Sequence, residues 1–366
     1  MSSPPPWRIV GICFEHFHMG DNLEFAHRHP RAEVVGVCDH QRDRMQPTIE
    51  RLALPESAVF DDPQTCIEAT HPDLIVLCPS TAGHREWVER LAPWNIPLLL
   101  EKPFAATLAD ADAMAAAVDH DAGRLAIHWP LAWYPSHRTA YRLVRDGAIG
   151  EVLEIHYYDG NRGPLWHTAG KEERTAEQVA REKPNSWFYQ RDAGGGSLLD
   201  YLGYGTTLGT WFLSGEAPLE ITAVVDDPPG LEVDEHAVVI ARYARGLSKF
   251  ETRWGTFTDP WVHQPQPKCG FVLVGSEGTL SSYDGETTVR LQDRKRPAGI
   301  DLPVDTLPLE LQNPIAHWID CRERGTPLDG PMTLPICRIG QQMVDAAVIS
   351  AFEKRTVPLE EVGGGE

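Results

Sequence analysis

Within its first 129 residues the chain alternates short apolar runs with helix-like segments, and this rhythm restricts what it can fold into more than any other feature. The runs are 7–12 (Trp7, Ile9, Val10 and Ile12), 33–39 (EVVGVCD), 74–79 (LIVLCP), 97–101 (PLLLE) and 124–129 (RLAIHW). They are β-branched-rich or wholly apolar, as strands buried on both faces of a parallel sheet are. Between them lie DNLEFAHRHP, ERLALP, GHREWVERLAP and TLADADAMAAAVDHD, which read as helices. Strict βα alternation predicts an α/β, doubly wound parallel sheet with ligands at the carboxyl ends of its strands.

From about residue 126 the rhythm changes. Longer alternating runs (EVLEIHYYDG, LEITAVVDD, HAVVIARYARGLSKFETRWGTF, GFVLVGSEGTLSSYDG) favour antiparallel strands with one exposed face. With 366 residues the chain is long for one core. The expected division is a doubly wound domain, 1–125, followed by an α+β domain, 126–366, on a large, mostly antiparallel open sheet. Residues 159–192, polar with interspersed aromatics, read equally as an excursion over a site or as a surface insertion.

Charge and cysteine usage narrow the function classes. Formal net charge is −20 with no Lys/Arg-rich block, so the footprint that nucleic acid requires is missing. The start, MSSPPPWRIV, lacks a basic region followed by a long apolar one, and no apolar run is long enough to span a bilayer. Seven scattered cysteines, odd in number and without a C-x-x-C pair, argue against disulfides and zinc ribbons. A cytoplasmic protein with a small-molecule ligand is expected, without nucleic-acid or membrane partners.

At LLLEKPFA (98–105), Glu-Lys-Pro follows a strand late in the first domain. Taken with CDHQRDR (38–44), DGAIGEV (146–152), GGGSLLDYLGYG (194–205), VGSEGTL (274–280) and the tail AAVISAFEKRTVPL, the chain resembles the glucose-fructose oxidoreductase, inositol dehydrogenase and MocA family. The resemblance implies an N-terminal Rossmann domain that binds NAD(P) and a C-terminal domain for substrate binding and oligomerisation. It implies hydride transfer between a nicotinamide cofactor and a sugar, polyol or related carbohydrate, in a homodimer or homotetramer. Lys102 matches the lysine that contacts the reacting oxygen, with Glu101 and Pro103 shaping its turn. Asp200 matches the family's aspartate. Its catalytic histidine falls at Tyr204, where one branch of the family also carries tyrosine.

The residues agree with these roles. Asp200 and Tyr204 are four apart in a helix-like stretch and so share a face. A phenol with a pKa near 10 removes a proton better when a cation such as Lys102 favours phenolate. Asp39, ending the second strand, is placed to accept from an adenosine ribose, which favours NAD, while Arg42 and Arg44 could hold the 2′-phosphate of NADP. Pro79, Ser80 and His84 match the part of the family that lines the cofactor cleft. For a sugar ring, Trp129, Trp133, Trp166, Trp187, Tyr189 and Trp254 offer stacking surfaces and His128, Arg162 and His167 polar contacts.

The first βα turn, VGICFEHFHMGDN (10–22), departs from the family. The three fingerprint glycines should fall at Cys13, Glu15 and His18, with Phe14 and His16 between them. A carboxylate at the place of closest pyrophosphate approach predicts repulsion of roughly 4 kcal/mol at about 4 Å, or about three decades in affinity, unless His16 or His18 compensates or Glu15 points away. The same stretch leaves a second class of function open: His16 and His18, with Glu15 and Asp21 nearby, could bind zinc or manganese for lyase or hydrolase chemistry. A non-catalytic carbohydrate-binding member is a third.

Overall fold

Trp7–Phe14 form β1, whose last six residues are all buried, as a central parallel strand requires. The computed structural model describes residues 4–121 and 123–363. β2 (Ala32–Cys38), β3 (Val59–Phe60), β4 (Leu74–Cys78), β5 (Leu98–Glu101) and β6 (Leu125–His128) join β1 in one parallel sheet of order β3-β2-β1-β4-β5-β6. This is the doubly wound order, with its switch point between β1 and β4. The crossovers are α1 (His18–Arg28), α2 (Arg42–Leu52), α3 (Pro63–Thr70), α4 (His84–Leu91) and α5 (Leu108–Ala117). Local chemistry starts several of them: Asp62 and Thr107 each accept a backbone N–H three residues on, and Pro63 occupies the first turn of α3. The sequence reading did not include β3 and α3, which are too short and too weakly patterned to stand out.

After α6 (Pro135–Arg145), a nine-stranded sheet of order β14-β13-β12-β11-β7-β10-β9-β8-β15 forms the second layer. Its strands are β7 (Val152–Gly160), β8 (Glu220–Val225), β9 (His236–Tyr243), β10 (Gly246–Arg253), β11 (Gly270–Gly275), β12 (Gly278–Tyr283), β13 (Thr288–Asp293), β14 (Ile300–Pro303) and β15 (Val357–Pro358). All pairings are antiparallel except β7 with β10. α7 (Ala176–Glu182) lies in the long excursion, and α8 (Ser197–Phe212), α9 (Pro314–Arg324) and α10 (Leu334–Glu353) follow. α6, α8 and α10 cover one face of this sheet, leaving the other open.

α8 sits unusually close to its neighbours because of its glycines. A Cβ at Gly203 would come within 2.5 Å of the Trp129 ring, and one at Gly205 within 2.9 Å of Phe250. These close approaches press the first turns of α8 against the carboxyl end of β6. The helix thereby reaches the end of β5, and the two sheets share a cleft at the switch-point edge.

Candidate functional site

Lys102 leaves β5 directly into that cleft, and Asp200 comes from the first turn of α8. Their Nζ and Oδ1 stand 2.5 Å apart, with side chains 3% and 2% exposed. The ammonium also lies 5.7 Å and 5.8 Å from the ring centres of Tyr201 and Tyr204. Lys102, Asp200 and Tyr204 line one inner cavity of about 230 Å³, together with His16, His18, His167, Asp159 and Asp284. The i, i+4 spacing therefore does bring Asp200 and Tyr204 to one space.

The phenolate expectation needs correction. Burial, and then the charges of Glu101, Asp159 and Asp200, push the Tyr204 phenol well above its ordinary value. Lys102 does not outweigh them, because its charge is matched by Asp200. Tyr204 therefore stands in the cavity as a neutral hydrogen-bond donor.

Glu101 is fully buried beneath the cavity. Its carboxylate meets His18 Nδ1 at 2.8 Å, His128 Nδ1 at 3.3 Å and the Asn22 amide at 3.4 Å. Burial works to raise its pKa, but the two histidines hold the carboxyl well below the ordinary range. The donor atoms of His16, His18 and Glu101 lie within 4.8 Å of one another. The oxygen ligands expected for a metal are elsewhere, however: Asp21 accepts the Gly170 N–H at 2.7 Å, and Glu15 accepts that of Ser80 at 2.8 Å. Glu101 is already engaged by the His18 imidazole and the Asn22 amide, with His128 beside it, so a cation would have to displace these partners.

The first βα turn keeps the shape of a fingerprint without its glycines. Cys13 has φ +65°, the left-handed conformation that glycine ordinarily supplies, and the β1–β4 register slips there. Glu15 is anchored by Ser80 and by Arg44 at 3.3 Å. Burial opposes the charge, but these donors hold its pKa below the usual range. The carboxylate is thus turned to the chain's own donors. His16 cannot compensate as a cation, because burial together with His18 and Lys102 drives its pKa well below the ordinary value.

A larger outer cavity, about 770 Å³, runs from Phe14, Glu15, Arg44 and Ser80 to Trp187. His16, Phe17, Pro164, His167 and Phe188 line both cavities, so the two spaces adjoin at this shared stretch of wall. The 159–192 excursion makes much of that wall. It is pinned by Gly170 on Asp21 and by Trp187 Nε1 on the Glu15 carbonyl at 3.4 Å, and it carries a small core of Leu165, Val179, Phe188 and Tyr189 against Trp254. It lies over the site and is not a plain surface insertion.

Other expected contacts fall outside the cavities. Asp39 accepts the Phe14 and Gln41 N–H groups at 2.6 and 2.7 Å, so its carboxylate first braces the turn. His84, fully buried, bonds the Phe104 carbonyl at 3.1 Å, and burial lowers its pKa to about 4. Cys13 and Pro79 are buried beside the crevice without lining either cavity. Trp129 is core, with its Nε1 on Cys337 Sγ, and Trp254 is core in the excursion cluster. Arg162 is held by Asp259 at 2.6 Å and by Glu173. His128 serves Glu101 and does not reach the inner cavity.

The sequence reading missed Asp159 and Asp284. Both stand in the tripeptide Tyr-Asp-Gly at a strand end, Tyr158–Gly160 and Tyr283–Gly285, and this repetition was the available signal.

Residues 8–128 match the family model described as "Oxidoreductase family, NAD-binding Rossmann fold", and residues 137–281 that of the "GFO/IDH/MocA C-terminal domain". The chain belongs to the GFO/IDH/MocA oxidoreductase family. Among curated relatives of this family, D-apiose dehydrogenase of Paraburkholderia graminis is 25% identical over 373 residues, covering 96% of this chain and 89% of that protein. Myo-inositol 2-dehydrogenase of Thermotoga maritima is 31% identical over 83 residues, 23% of this chain and 24% of that protein. Levoglucosan dehydrogenase, solved with NADH and levoglucosan, shares the fold at TM-score 0.76 and 15% identity, covering 97% of this chain and 99% of its own. Aldose-aldose oxidoreductase of Caulobacter crescentus does so at 0.74 and 20%, covering 96% and 99%.

The donor set suits the dinucleotide that the family binds. The left-handed turn at Cys13 and the groove over the β1–β4 switch point offer the dinucleotide its place, and the donors beside it, Arg44 and the Ser80 N–H, are shared with Glu15. Among the described residues no helix is long and apolar enough to cross a membrane, and all seven cysteines are free and buried.

Proposed function

We propose that this family member transfers a hydride between a nicotinamide dinucleotide and a sugar, polyol or related carbohydrate. The observation that carries the reading is the Lys102–Asp200 ion pair, buried in the wall of the inner cavity beside Tyr204. When bound, NAD would be held by the first βα turn and the lining of the outer cavity, and would supply the hydride acceptor, or as NADH the donor. Lys102 donates to the reacting oxygen, and Asp200 fixes the direction of its ammonium group. Tyr204, kept as a phenol, donates to the same oxygen. In reduction Lys102 would give a proton to the oxygen as the carbon takes the hydride, and in oxidation the hydroxyl proton would return to the Lys102 amine, with the Tyr204 phenol donating a second hydrogen bond that steadies the charge on the oxygen. The excursion wall, with Phe17, His167 and Phe188, keeps water from this centre.

NAD is favoured over NADP because both arginines that could hold a 2′-phosphate are engaged. Arg42 makes a bidentate pair with Glu56, and Arg44 lies between Glu15 and Asp39. The test is a panel of aldoses, polyols and their oxidised partners, followed by nicotinamide absorbance with both cofactors. Turnover of at least one pair, with kcat/KM about tenfold higher for NAD, is expected. A well-folded protein inactive on the whole panel overturns the reading.

Glu15→Gln keeps an acceptor for the Ser80 N–H and removes the charge. Because Arg44 and Ser80 already screen that carboxylate, NAD binding is expected to tighten by about tenfold, well short of the three decades of an unscreened pair. Calorimetry with NAD reads this, and weaker binding by the variant counts against any repulsion at Glu15.

The open sheet face supports a homo-oligomer, the arrangement also expected from the resemblance. Val224, Ile240 and Leu247 are 69%, 37% and 54% exposed on it, between ion pairs such as Arg242–Glu220 and Lys249–Glu251. A dimer or tetramer mass in light scattering at micromolar concentration is expected, and a monomer excludes this use of the face. Seven unpaired cysteines suit a reducing compartment, which is the basis for placing the protein in the cytoplasm.

A further inference from the structure

The inner cavity has a second polar group, Asp159 and Asp284, that hydride transfer does not require. Asp159 is the last residue but one of β7, and Asp284 directly follows β12. Gly270, at the start of β11, pairs with Tyr158 on one side and Tyr283 on the other, so the two aspartates stand at one level of the sheet on either side of a single strand. Both line the cavity, and both are nearly closed off from solvent, at 5% and 6% exposure. Neither enters an ion pair among the described residues, and Asp284 Oδ1 is buried without any hydrogen-bond partner. Burial pushes both carboxyls up, and in Asp159 the neighbouring Asp284 adds to the rise.

The lysines of the cavity act on these carboxylates only at a distance, Lys102 on Asp159 and Lys171 on Asp284, and neither forms an ion pair with them. Lys102 is matched by Asp200, and the Lys171 ammonium sits 3.9 Å from the centre of the Trp261 ring. The lining holds three aspartates, Asp159, Asp200 and Asp284, against two lysines, Lys102 and Lys171. His16 and His167 are kept neutral by burial, and His18 is turned to Glu101. With every group ionised the lining would carry one negative charge in excess, and the two raised carboxyls meet that cost by holding a proton, which a seated ammonium would replace. A sugar hydroxyl brings one donor and no charge, whereas an ammonium brings three donors and the missing positive charge.

We propose that the inner cavity selects an amine-bearing sugar or polyol, with the ammonium group seated at Asp159 and Asp284 and a hydroxyl-bearing carbon of the same ring presented to Lys102 and Tyr204. The proposal rests on the hydride-transfer reading only for which carbon reacts. The docking of the amine is independent of turnover.

Calorimetry on the full-length, NAD-loaded protein at pH 7 tests it, using matched pairs: glucosamine against glucose, and an aminodeoxy-inositol against the parent inositol. At least one amine is expected to bind ten times or more tighter than its parent. Asp284→Asn should reduce that ratio below threefold, and Asp159→Asn should do the same from the other side of β11. Ratios within threefold for every pair in the wild type overturn the proposal, as does no amine binding at all or a preference that survives both substitutions. Calcium binding that needs both aspartates, without an amine preference, also overturns it and assigns the pair to a cation. Hydride transfer to NAD is measured separately on the same pairs. Amine preference without turnover of any sugar would sink the dehydrogenase reading alone, and turnover of neutral sugars without amine preference would sink this one alone.

Discussion

Lys102→Ala is expected to lower kcat/KM by about three decades or more, roughly 4 kcal/mol of transition-state stabilisation. The loss is large because the ammonium is the one charged donor positioned for the reacting oxygen, in a wall from which water is excluded. The same change leaves Asp200 buried without its partner, which costs about 3–5 kcal/mol of stability. Activity and folding must therefore be separated. The double variant Lys102→Ala, Asp200→Asn removes the stranded charge, so it should recover most of the stability and none of the turnover. Circular dichroism melting, read beside steady-state rates, distinguishes the two. A folded Lys102→Ala enzyme within tenfold of wild type would remove Lys102 from the chemistry. Tyr204→Phe should cost less, about 10- to 100-fold, since it deletes one neutral donor and leaves the ring in place.

Acid is expected to destabilise the protein from about pH 6 downward, through its buried histidines. Burial lowers the pKa of His84 to about 4, of His137 to about 3 and of His167 to about 2, and holds His16 well below its ordinary value. Each remains neutral in the folded state and takes a proton near pH 6.5 once unfolded. Below pH 6.5 the unfolded chain thus binds more protons, and stability falls as pH falls, by about 1.4 kcal/mol per pH unit for each such histidine. Asp159 and Asp284, pushed up by burial, bind protons in the folded state over the same window and offset part of the loss. A net uptake of about two protons on unfolding, roughly 3 kcal/mol per pH unit between pH 6 and 4.5, is expected. Over that window the loss is about 4–5 kcal/mol, which takes most of the stability of a protein at the low end of the usual range of about 5–15 kcal/mol. Urea midpoints measured from pH 7 to 4.5 give the slope. His137→Gln, in the core beside Tyr157 and Phe271 and away from the cavities, should remove one proton from it. An unchanged slope in that variant rules out His137 as a source.

The doubly wound half of the chain was legible because parallel strands buried on both faces must be continuously apolar, and LIVLC and LLLE have no other use. The second sheet declared itself by alternation, as in β9, where buried and more exposed residues take turns. Lys102, Asp200 and Tyr204 were legible for a local reason: a strand end and one helix face fix where those side chains go, whatever surrounds them. Charge state was not legible, because it depends on neighbours distant in sequence. Tyr204 is a phenol and not a phenolate because Asp200 matches Lys102 across 98 positions and because Glu101 and Asp159 lie near it. The direction of Glu15 was decided by Ser80, 65 positions away, and the exclusion of Trp129 and Arg162 from the cavity by Gly203 and Asp259. Asp159 and Asp284 form a pair only because β11 brings the ends of β7 and β12 to one level. The sequence by itself determined the two sheets and the elements that bear the reacting groups, since strand and helix periodicity are properties of short segments. The tertiary structure alone decided which charges meet and which stay unmatched, since Coulomb energy and desolvation depend on distances through space that no spacing along the chain records.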